Sequence, residues 1–208
     1  MTSINDRINR LAARATALNL QTEPDMLPRL EAYFELLLRW NEKINLTSLG
    51  DTDEAIDRLL LEPVAAAAFL PSRARIIDIG SGGGSPAIPL AIASRAQVLT
   101  MVESRGRKAA FLREALRTLD IDGSVEMERA EALAASSRFV KAADVVSVRA
   151  VRMTPALSAA LAQLLAPGGV LALFSREAEQ VPDGFRTVAT HPLVHATRSV
   201  LHCFSLSK

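Results

Sequence analysis

Cysteine and histidine are scarce in this chain, and their scarcity excludes two kinds of framework. Cys203 is the single cysteine among 208 residues, so neither an intramolecular disulfide nor a cysteine-rich metal site can form. The three histidines, His191, His195 and His202, lie near the C-terminus, and no two of them have the spacing of a helical zinc site with an acidic partner between them. We therefore expect no bound metal.

Long apolar runs are also missing. The longest covers residues 64–70, whereas a membrane-spanning helix needs roughly 20 apolar residues. The first residues, Met1-Thr-Ser-Ile-Asn-Asp6, are polar and lack the apolar core of a signal peptide. We therefore expect a cytoplasmic protein, a monomer without membrane contact. With 49% hydrophobic and 23% charged residues, the chain fits one α/β domain with a modest extension.

The chain as a whole has almost no net charge, at +1, but its two parts carry opposite net charges. Residues 1–70 carry 7 basic and 11 acidic side chains, a net charge of −4, which leaves +5 for residues 71–208. An excess of positive charge favours a polyanionic partner such as RNA, although a solvated helix face is the plainer interpretation of a charge run. The local basic cluster consists of Arg105, Arg107, Lys108, Arg113 and Arg117.

Glycine, by contrast, is concentrated in one place. The apolar segment 75–79 runs into a loop with four glycines in five positions, Gly80-Ser-Gly-Gly-Gly84. Such a loop lets the backbone turn sharply and approach a ligand closely, and a helix that follows it directs free N–H groups at the same crevice. Ser85 stands where the dinucleotide fingerprint needs its third glycine. The pattern Asp78-x-Gly-x-Gly-x-Gly84 instead resembles the first motif of Rossmann-like S-adenosylmethionine-dependent methyltransferases; the alternative is a simple turn.

An acidic residue follows at the distance that a nucleotide site requires. After an apolar helical stretch at 87–93, the segment 98–102 is typical of a buried strand, and it ends on Glu103. A doubly wound fold places there, about 20 residues past the glycines, the carboxylate that accepts hydrogen bonds from ribose hydroxyls. Glu103 could also be an ordinary surface residue. The order of strand, loop, helix, strand and acid favours a cofactor that contains adenosine.

The remaining chain divides into two parts. Helical periodicity predicts helices over about 4–18, 25–40 and 53–69, the third capped by Thr52 or Asp51, so that residues 1–70 form an N-terminal helical extension. Residues 71–208 alternate strands and helices, which predicts an α/β, Rossmann-like domain with a mainly parallel seven-stranded sheet. The predicted strands lie near 75–80, 97–103, 123–128, 143–148 and 169–174, and a C-terminal antiparallel hairpin follows at 185–191 and 198–206.

Several ordered motifs resemble one family closely. Trp40-Asn-Glu-Lys-Ile-Asn-Leu-Thr47 and Asp78-Ile-Gly-Ser-Gly-Gly-Gly-Ser-Pro-Ala-Ile-Pro-Leu-Ala91 are similar to segments of the bacterial small-subunit ribosomal RNA guanine-N7 methyltransferase G, also called glucose-inhibited division protein B. Shorter matches follow at 103–104, 107–108, 111–112, 129–131 and 149–150. The resemblance covers roughly residues 30–175 and implies the class I methyltransferase fold, S-adenosylmethionine as cofactor, and ribosomal RNA or the small ribosomal subunit as partner.

The resemblance also implies roles for individual residues. The loop would hold the methionine end and ribose of the cofactor, Asp78 would orient the loop, Glu103 would take the ribose hydroxyls, and Ala130 and Glu131 would lie beside adenine. Arg149, the catalytic candidate, would face the transferred methyl and contact the substrate, unless it forms a structural ion pair with Glu131 or Asp144. The cofactor candidates are Asp78, Gly80, Ser81, Gly82, Gly84, Glu103, Ala130 and Glu131, and the RNA candidates are Arg105, Arg107, Lys108 and Arg149.

The residues present agree with N7 chemistry. Guanine N7 carries a lone pair and no proton, so methyl transfer needs alignment of the reactants and no general base. Methylation of cytosine C5 needs a cysteine near the cofactor, and Cys203 lies in the predicted terminal hairpin. Adenine or cytosine amine methyltransferases usually carry Asn/Asp-Pro-Pro-aromatic after the fourth strand, where this chain has Ser147-Val-Arg-Ala150.

Departures from the family pattern leave two alternatives open. The family segment Arg-His-x-x-Asp-Ser-Leu is Arg58-Leu-Leu-Leu-Glu-Pro-Val64 here, Ser85 and Ala87 replace Phe and Gly, and the Lys-Gly after the fifth strand corresponds to about Phe174-Ser175. The missing lysine removes a cation from the expected substrate side. The chain could therefore methylate a shifted substrate, a small molecule or a protein, or be a non-enzymatic RNA-binding relative.

Overall fold

A seven-stranded β-sheet forms the centre of the computed structural model, which describes residues 4–176, 180–194 and 197–207. The strands are β1 (Arg75–Ile79), β2 (Val98–Val102), β3 (Gly123–Glu126), β4 (Ala143–Arg149), β5 (Leu165–Ser175), β6 (Phe185–Pro192) and β7 (Val200–Leu206). Their order across the sheet is β3-β2-β1-β4-β5-β7-β6. Strands β1 to β5 are parallel, whereas β7 is antiparallel to both β5 and β6. The predicted parallel sheet with a C-terminal antiparallel hairpin is confirmed.

The strand order reverses between β1 and β4. From β1 the chain adds β2 and β3 on one side, and then returns to add β4 and β5 on the other. Helices of a doubly wound sheet diverge at such a switch point, which leaves a crevice at the carboxyl ends of the strands. Asp78 of β1 lies opposite Ser147 of β4 in this register, so the two strands meet directly below the glycine loop.

Four helices cover the parallel strands: α5 (Ala87–Ser94), α6 (Gly106–Thr118), α7 (Ala130–Ala135) and α8 (Pro155–Leu164), numbered after four N-terminal ones. Because both faces of the sheet are covered, the strands are near-continuous apolar runs without polar alternation. Helix α6 shows the packing: Phe111, Leu112 and Ala115 are fully buried, while Arg113 and Arg117 are exposed. The basic residues of this helix therefore lie on its solvent side.

The N-terminal region is helical, as predicted. It contains α1 (Ile4–Ala17), α2 (Met26–Asn41) and a continuous run formed by α3 (Asp53–Ala55), a π-helical turn (Ile56–Leu61) and α4 (Glu62–Ala67). Thr52 caps this run, because its hydroxyl accepts a hydrogen bond from the Ala55 N–H at 3.2 Å. The predicted third helix thus exists, but it ends at residue 67. The π-helical turn in its middle was not predicted.

The N-terminal helices share one core with the sheet. Leu30 and Phe34 of α2 belong to the same buried cluster as Ile88 of α5 and Ile76 of β1. Helix α1 is also tied to the π-helical turn by ion pairs, since the Arg14 guanidinium lies 2.5 Å from the buried Asp57 carboxylate. The division of the chain at residue 70 remains a prediction about sequence organisation.

Strand β5 departs from its predicted bounds. The sequence 167–169, Pro-Gly-Gly, predicts a turn before a strand at 169–174, but α8 passes directly into β5 at Leu165. Ala143 pairs with Leu165 and Val145 with Val170, so the extra β5 residues bulge out of the ladder between them. Gly168 adopts a positive φ of 80° in this bulge. The turn exists, therefore, but within the strand.

The described residues contain neither a membrane-spanning helix nor a metal-binding group of side chains. Among these residues no helix is both long and apolar enough to cross a bilayer. In the same residues no three His, Cys, Asp or Glu side chains are grouped so that they could hold a metal ion. His195 lies outside the described residues.

Candidate active site

A cleft of about 350 Å³ opens at the carboxyl ends of β1, β2 and β3. Gly80, Glu103, Ala130 and Glu131 all line it, although they come from three separate points of the chain. The structure thus brings together half of the residues expected to contact a cofactor. Four candidates are not among the residues that line this cleft. Asp78 lies in β1, and Ser81, Gly82 and Gly84 belong to the glycine loop that follows it.

Glu103 connects the glycine loop to the start of α6 through its carboxylate. Its side chain is only 7% exposed, and one carboxylate oxygen accepts a hydrogen bond from the Gly82 N–H at 3.0 Å. The other oxygen accepts from the Arg105 N–H at 2.8 Å, at the start of α6. A carboxylate offers about four lone-pair positions, so both oxygens keep acceptor capacity for hydroxyl groups in the cleft. Glu103 is therefore a fixed acceptor rather than a mobile surface residue.

Asp78 supports the glycine loop from below. The Ser147 hydroxyl donates to the Asp78 carboxylate at 2.6 Å, and the buried Ser81 hydroxyl donates to the Asp78 backbone oxygen at 3.1 Å. Burial raises the pKa of Asp78 from 3.8 to about 6, against the opposing hydrogen bonds from Ser147 and Ser81. The Asp78 carboxyl therefore links the end of β1 to β4 directly below the loop.

The raised pKa of Asp78 predicts a stability effect with a definite sign. The unfolded chain releases this proton at lower pH than the folded protein, so the stability that the neutral carboxyl contributes is lost as pH rises through about 6. Asp78→Asn keeps an acceptor for Ser147 and cannot ionise. We expect the free energy of unfolding of the variant to exceed that of the wild type by about 2 to 3 kcal/mol at pH 8 and to equal it at about pH 3, below the pKa of the unfolded carboxyl. Urea titrations at both pH values measure this, and a difference that is the same at both contradicts the prediction.

Helix α2 supports the same loop from its other side. The Tyr33 hydroxyl, fully buried, donates to the Gly83 backbone oxygen at 2.6 Å. Gly84 has a φ of +86°, and a Cβ there would lie 2.7 Å from the Ile88 side chain and 3.2 Å from the Tyr33 ring. Only glycine fits this close approach. The N-terminal extension thus holds the loop directly, which the sequence motifs did not indicate.

A second cavity, of about 320 Å³, lies at the carboxyl ends of β4 and β5. Arg149, Phe174 and the cations Arg58 and Arg176 line it. Val151 lines both this cavity and the first cleft, so the two adjoin. The substrate-side lysine is absent, as the sequence indicated. Two arginines supply positive charge in the same cavity: Arg58, the first residue of the segment 58–64 compared above, and Arg176, which lies in none of the quoted motifs.

Arg149 is held by four groups around its guanidinium. One terminal nitrogen donates to the Glu62 carboxylate at 2.9 Å, and the other donates to the Arg58 backbone oxygen at 2.8 Å and the Ser85 hydroxyl at 3.2 Å. The guanidinium carbon also lies 4.8 Å from the Phe174 ring centroid. The side chain is 12% exposed. Arg149 therefore sits in the wall of the second cavity with most of its donors engaged.

The ion pair of Arg149 has a partner that the sequence did not suggest. The sequence suggests Glu131 or Asp144 as the ion-pair partner of Arg149, but the partner is Glu62. Asp144 instead pairs with Arg75 at 2.7 Å. Burial lowers the pKa of Arg149, Glu62 raises it, and the charge of Arg58 lowers it again. A buried guanidinium with one carboxylate partner remains a cation.

The departures from the family pattern contact one another. The Ser85 hydroxyl donates to the Leu59 backbone oxygen at 2.8 Å and accepts from Arg149. Glu62 accepts from the Ser199 hydroxyl at 2.5 Å as well as from Arg149. Two of the changed side chains, Glu62 and Ser85, thus form one hydrogen-bonded group with Arg149 and the Leu59 backbone.

The basic cluster lies partly at the mouth of the first cleft. Arg105 and Arg107 are exposed at the start of α6, and the Lys108 ammonium lies 3.9 Å from where a Cβ on Gly82 would stand. Arg113 donates instead to the Val125 backbone oxygen at 3.1 Å. Of this cluster, Lys108 in the first turn of α6 therefore lies near the glycine loop, whereas Arg113 is engaged with β3.

Comparison with known proteins gives a consistent result. The family model described as rRNA small subunit methyltransferase G matches residues 26–197. A protein named ribosomal RNA small subunit methyltransferase G from Xanthomonas axonopodis pv. citri is 38% identical over 77% of this chain and 76% of its own length. One of the same name from Stenotrophomonas maltophilia is 37% identical over 81% of this chain and 80% of its own.

Solved structures show the same fold at low identity. The PH0226 protein from Pyrococcus horikoshii superposes with a TM-score of 0.58 at 13% identity, covering 81% of this chain and 99% of that protein. TYW2 of M. jannaschii in complex with AdoMet gives a TM-score of 0.52 at 14% identity, with coverages of 77% and 80%. These likenesses support the class I methyltransferase fold.

Proposed function

Because this chain belongs to the rRNA small subunit methyltransferase G family, we propose that it methylates N7 of a guanine in small-subunit ribosomal RNA. The chain is a methyltransferase, and its cofactor is S-adenosylmethionine. The observation that carries the proposal is the pair of adjoining cavities on either side of Val151, one built on the glycine loop and one lined by arginines. A methyl donor and a polyanionic acceptor need two such compartments next to each other.

The residues of the first cleft suit S-adenosylmethionine, which supplies an electrophilic methyl group on its sulfonium. Glu103, already fixed by two backbone N–H groups, would accept from the ribose hydroxyls. Ala130 and Glu131, at the start of α7, would border the adenine ring. The backbone of Gly80, Ser81, Gly82 and Gly84 would cradle the ribose and methionine end, with Asp78 holding the loop in place.

The second cavity suits an acceptor that is already nucleophilic. Guanine N7 needs its lone pair aligned with the methyl–sulfur bond, which is catalysis by proximity and orientation. A general base is not required, and the charged side chains here are mainly arginines. Arg149 would form the wall against which the acceptor nucleotide lies.

Transfer of a labelled methyl group tests this proposal. Purified protein with labelled S-adenosylmethionine is expected to label small-subunit ribosomal RNA, as naked RNA or within the subunit, and nucleoside mass spectrometry is expected to identify 7-methylguanosine. Cofactor titration in parallel with NAD is expected to give saturable binding of S-adenosylmethionine alone. Saturable cofactor binding without label in either form of the RNA would contradict the proposed substrate.

A methyltransferase with a shifted substrate is the second candidate, and the rebuilt contacts of Ser85, Leu59 and Glu62 around Arg149 favour it. Removing charge from Arg105, Arg107 and Lys108 together separates the two candidates. If RNA is the substrate, KM for RNA is expected to rise at least about tenfold and to become less dependent on salt, since each lost phosphate contact reduces the salt slope by about 1. Arg73→Gln, before the amino end of β1, is the control. Equal activity of the triple variant and the control favours a different substrate.

A further inference from the structure

Arg58 lines the second cavity and has no ion-pair partner among the residues that the structure describes. It projects from the π-helical turn, is half-buried and lines the cavity beside Arg149, Arg176 and Glu62. Glu62 is paired with Arg149, and Arg176 lies 3.5 Å from Glu54. In residues 4–176, 180–194 and 197–207, no carboxylate lies within ion-pair distance of the Arg58 guanidinium. Within the part of the chain that the structure describes, this cavity therefore contains one cation, Arg58, whose charge no carboxylate neutralises.

The neighbours of Arg58 make that charge unfavourable in the free protein. Its guanidinium is close enough to Arg149 to lower the pKa of that buried side chain. Two like charges in a partly desolvated cavity repel each other, and an anion bound between them would remove the repulsion. Binding of an anion between Arg58 and Arg149 would therefore lower the electrostatic free energy of the cavity.

The backbone around Arg58 is held in place. A π-helical turn leaves backbone groups outside the usual α-helical pattern, and such turns are frequent at functional sites. Here the Arg58 carbonyl accepts from Arg149 at 2.8 Å and the Leu59 carbonyl accepts from Ser85 at 2.8 Å. These two hydrogen bonds fix the position from which the Arg58 side chain enters the cavity.

The chemistry of the reaction restricts what Arg58 can bind. Arginine most often contacts guanine by donating to O6 and N7 together. A donor at N7 would occupy the lone pair that must attack the methyl group. The phosphates on either side of the nucleotide remain as partners, and a planar guanidinium binds them in bidentate geometry.

We propose that Arg58 binds a backbone phosphate next to the methylated guanosine, at an anion site formed with the wall around Arg149. Arg149 is then a positioning residue for this site through its bond to the Arg58 carbonyl. The identification of the anion as an RNA phosphodiester rests on the proposed function. The presence of a site for phosphate rests only on the charges and contacts of this cavity.

The first experiment tests the site without any methyl transfer. Inorganic phosphate is titrated into the wild type, Arg58→Gln and Arg73→Gln, and the arginine side-chain Nε–H signals are followed by NMR at constant ionic strength. We expect saturable shifts in the wild type and in Arg73→Gln, and their loss in Arg58→Gln. Equal binding by Arg58→Gln, or no saturable binding by the wild type, would overturn the proposal.

The second experiment identifies the anion. An RNA substrate carries a neutral methylphosphonate at the phosphate 5′ or 3′ to the methylated guanosine. At one of the two positions, the methylphosphonate is expected to raise the KM of the wild type for RNA about tenfold. The KM of Arg58→Gln is expected to be raised already for unmodified RNA and to be the same for the modified RNA. Phosphate binding with no RNA methylation by the wild type would refute the proposed substrate and leave the anion site standing. Equal sensitivity of both proteins to each methylphosphonate would refute the assignment of Arg58 to an RNA phosphate.

Discussion

Replacing Gly82 with valine is expected to weaken S-adenosylmethionine binding at least about 100-fold, a loss of roughly 2.7 kcal/mol. Gly82 has a φ of +53°, where a β-branched residue is strongly disfavoured. The chain itself leaves room for a side chain, because a Cβ would meet nothing nearer than the Gly80 oxygen at 3.6 Å. The strained loop would pull the Gly82 N–H away from Glu103. In the binding mode proposed above, the added methyl groups would also meet the bound cofactor.

Gly168→Val is the matched control for this variant. Gly168 has a φ of +80° with no atom within 4 Å of an added Cβ, and it lies in the β5 bulge away from the glycine loop. The two variants share the backbone strain, so a comparable loss of stability is expected for both. Calorimetric titration is expected to show unchanged cofactor affinity for Gly168→Val alone. Unchanged affinity in Gly82→Val would show that the glycine loop is only a turn.

Replacing Arg149 with alanine is expected to reduce the free energy of unfolding by about 3 to 5 kcal/mol, because the buried Glu62 carboxylate loses its cation. It is also expected to reduce methyl transfer more than cofactor affinity. Arg149 lines the second cavity and not the glycine-loop cleft, and it holds the backbone of Arg58. Urea denaturation, cofactor titration and initial rates on RNA measure the three quantities.

A double variant separates the structural part of this effect from the functional part. Arg149→Met with Glu62→Gln removes both buried charges, so it is expected to recover most of the stability that Arg149→Ala loses. Methyl transfer is expected to stay low, since the Arg58 carbonyl remains unbound. Recovery of activity along with stability would show that Arg149 acts only as a structural partner. A larger effect on cofactor affinity than on transfer would place Arg149 in the cofactor pocket.

The sequence predicted the cofactor side of the molecule well because its signals are local. Asp78, the glycines and Glu103 lie within 26 consecutive residues of one strand–helix–strand unit, whose geometry follows from chain connectivity. Thr52 as a helix cap is equally local. The π-helical turn and the β5 bulge were missed because each depends on tertiary contacts, of Arg149 with the Arg58 carbonyl and of β5 with β4.

The acceptor side could not be predicted in the same way. Arg149 and Glu62 are 87 residues apart in the chain, and Ser199 and Glu62 are 137 apart. Side-chain pairing at such separations is decided by how the N-terminal helices pack on the sheet, which no local spacing encodes. Glu131 and Asp144, the partners considered for Arg149, both lie after residue 70, whereas the actual partner, Glu62, lies in the N-terminal helices.

Tyr33 gives the protein an intrinsic optical reporter of its own glycine loop. It is the only tyrosine in the chain, and its phenol donates to the Gly83 carbonyl, between Gly82 and Gly84, which both have positive φ. Any rearrangement of the loop changes the hydrogen bond of that one chromophore. Near-ultraviolet circular dichroism therefore follows the loop in the unlabelled wild-type protein, with Trp40 as the sole other strong absorber in the sequence.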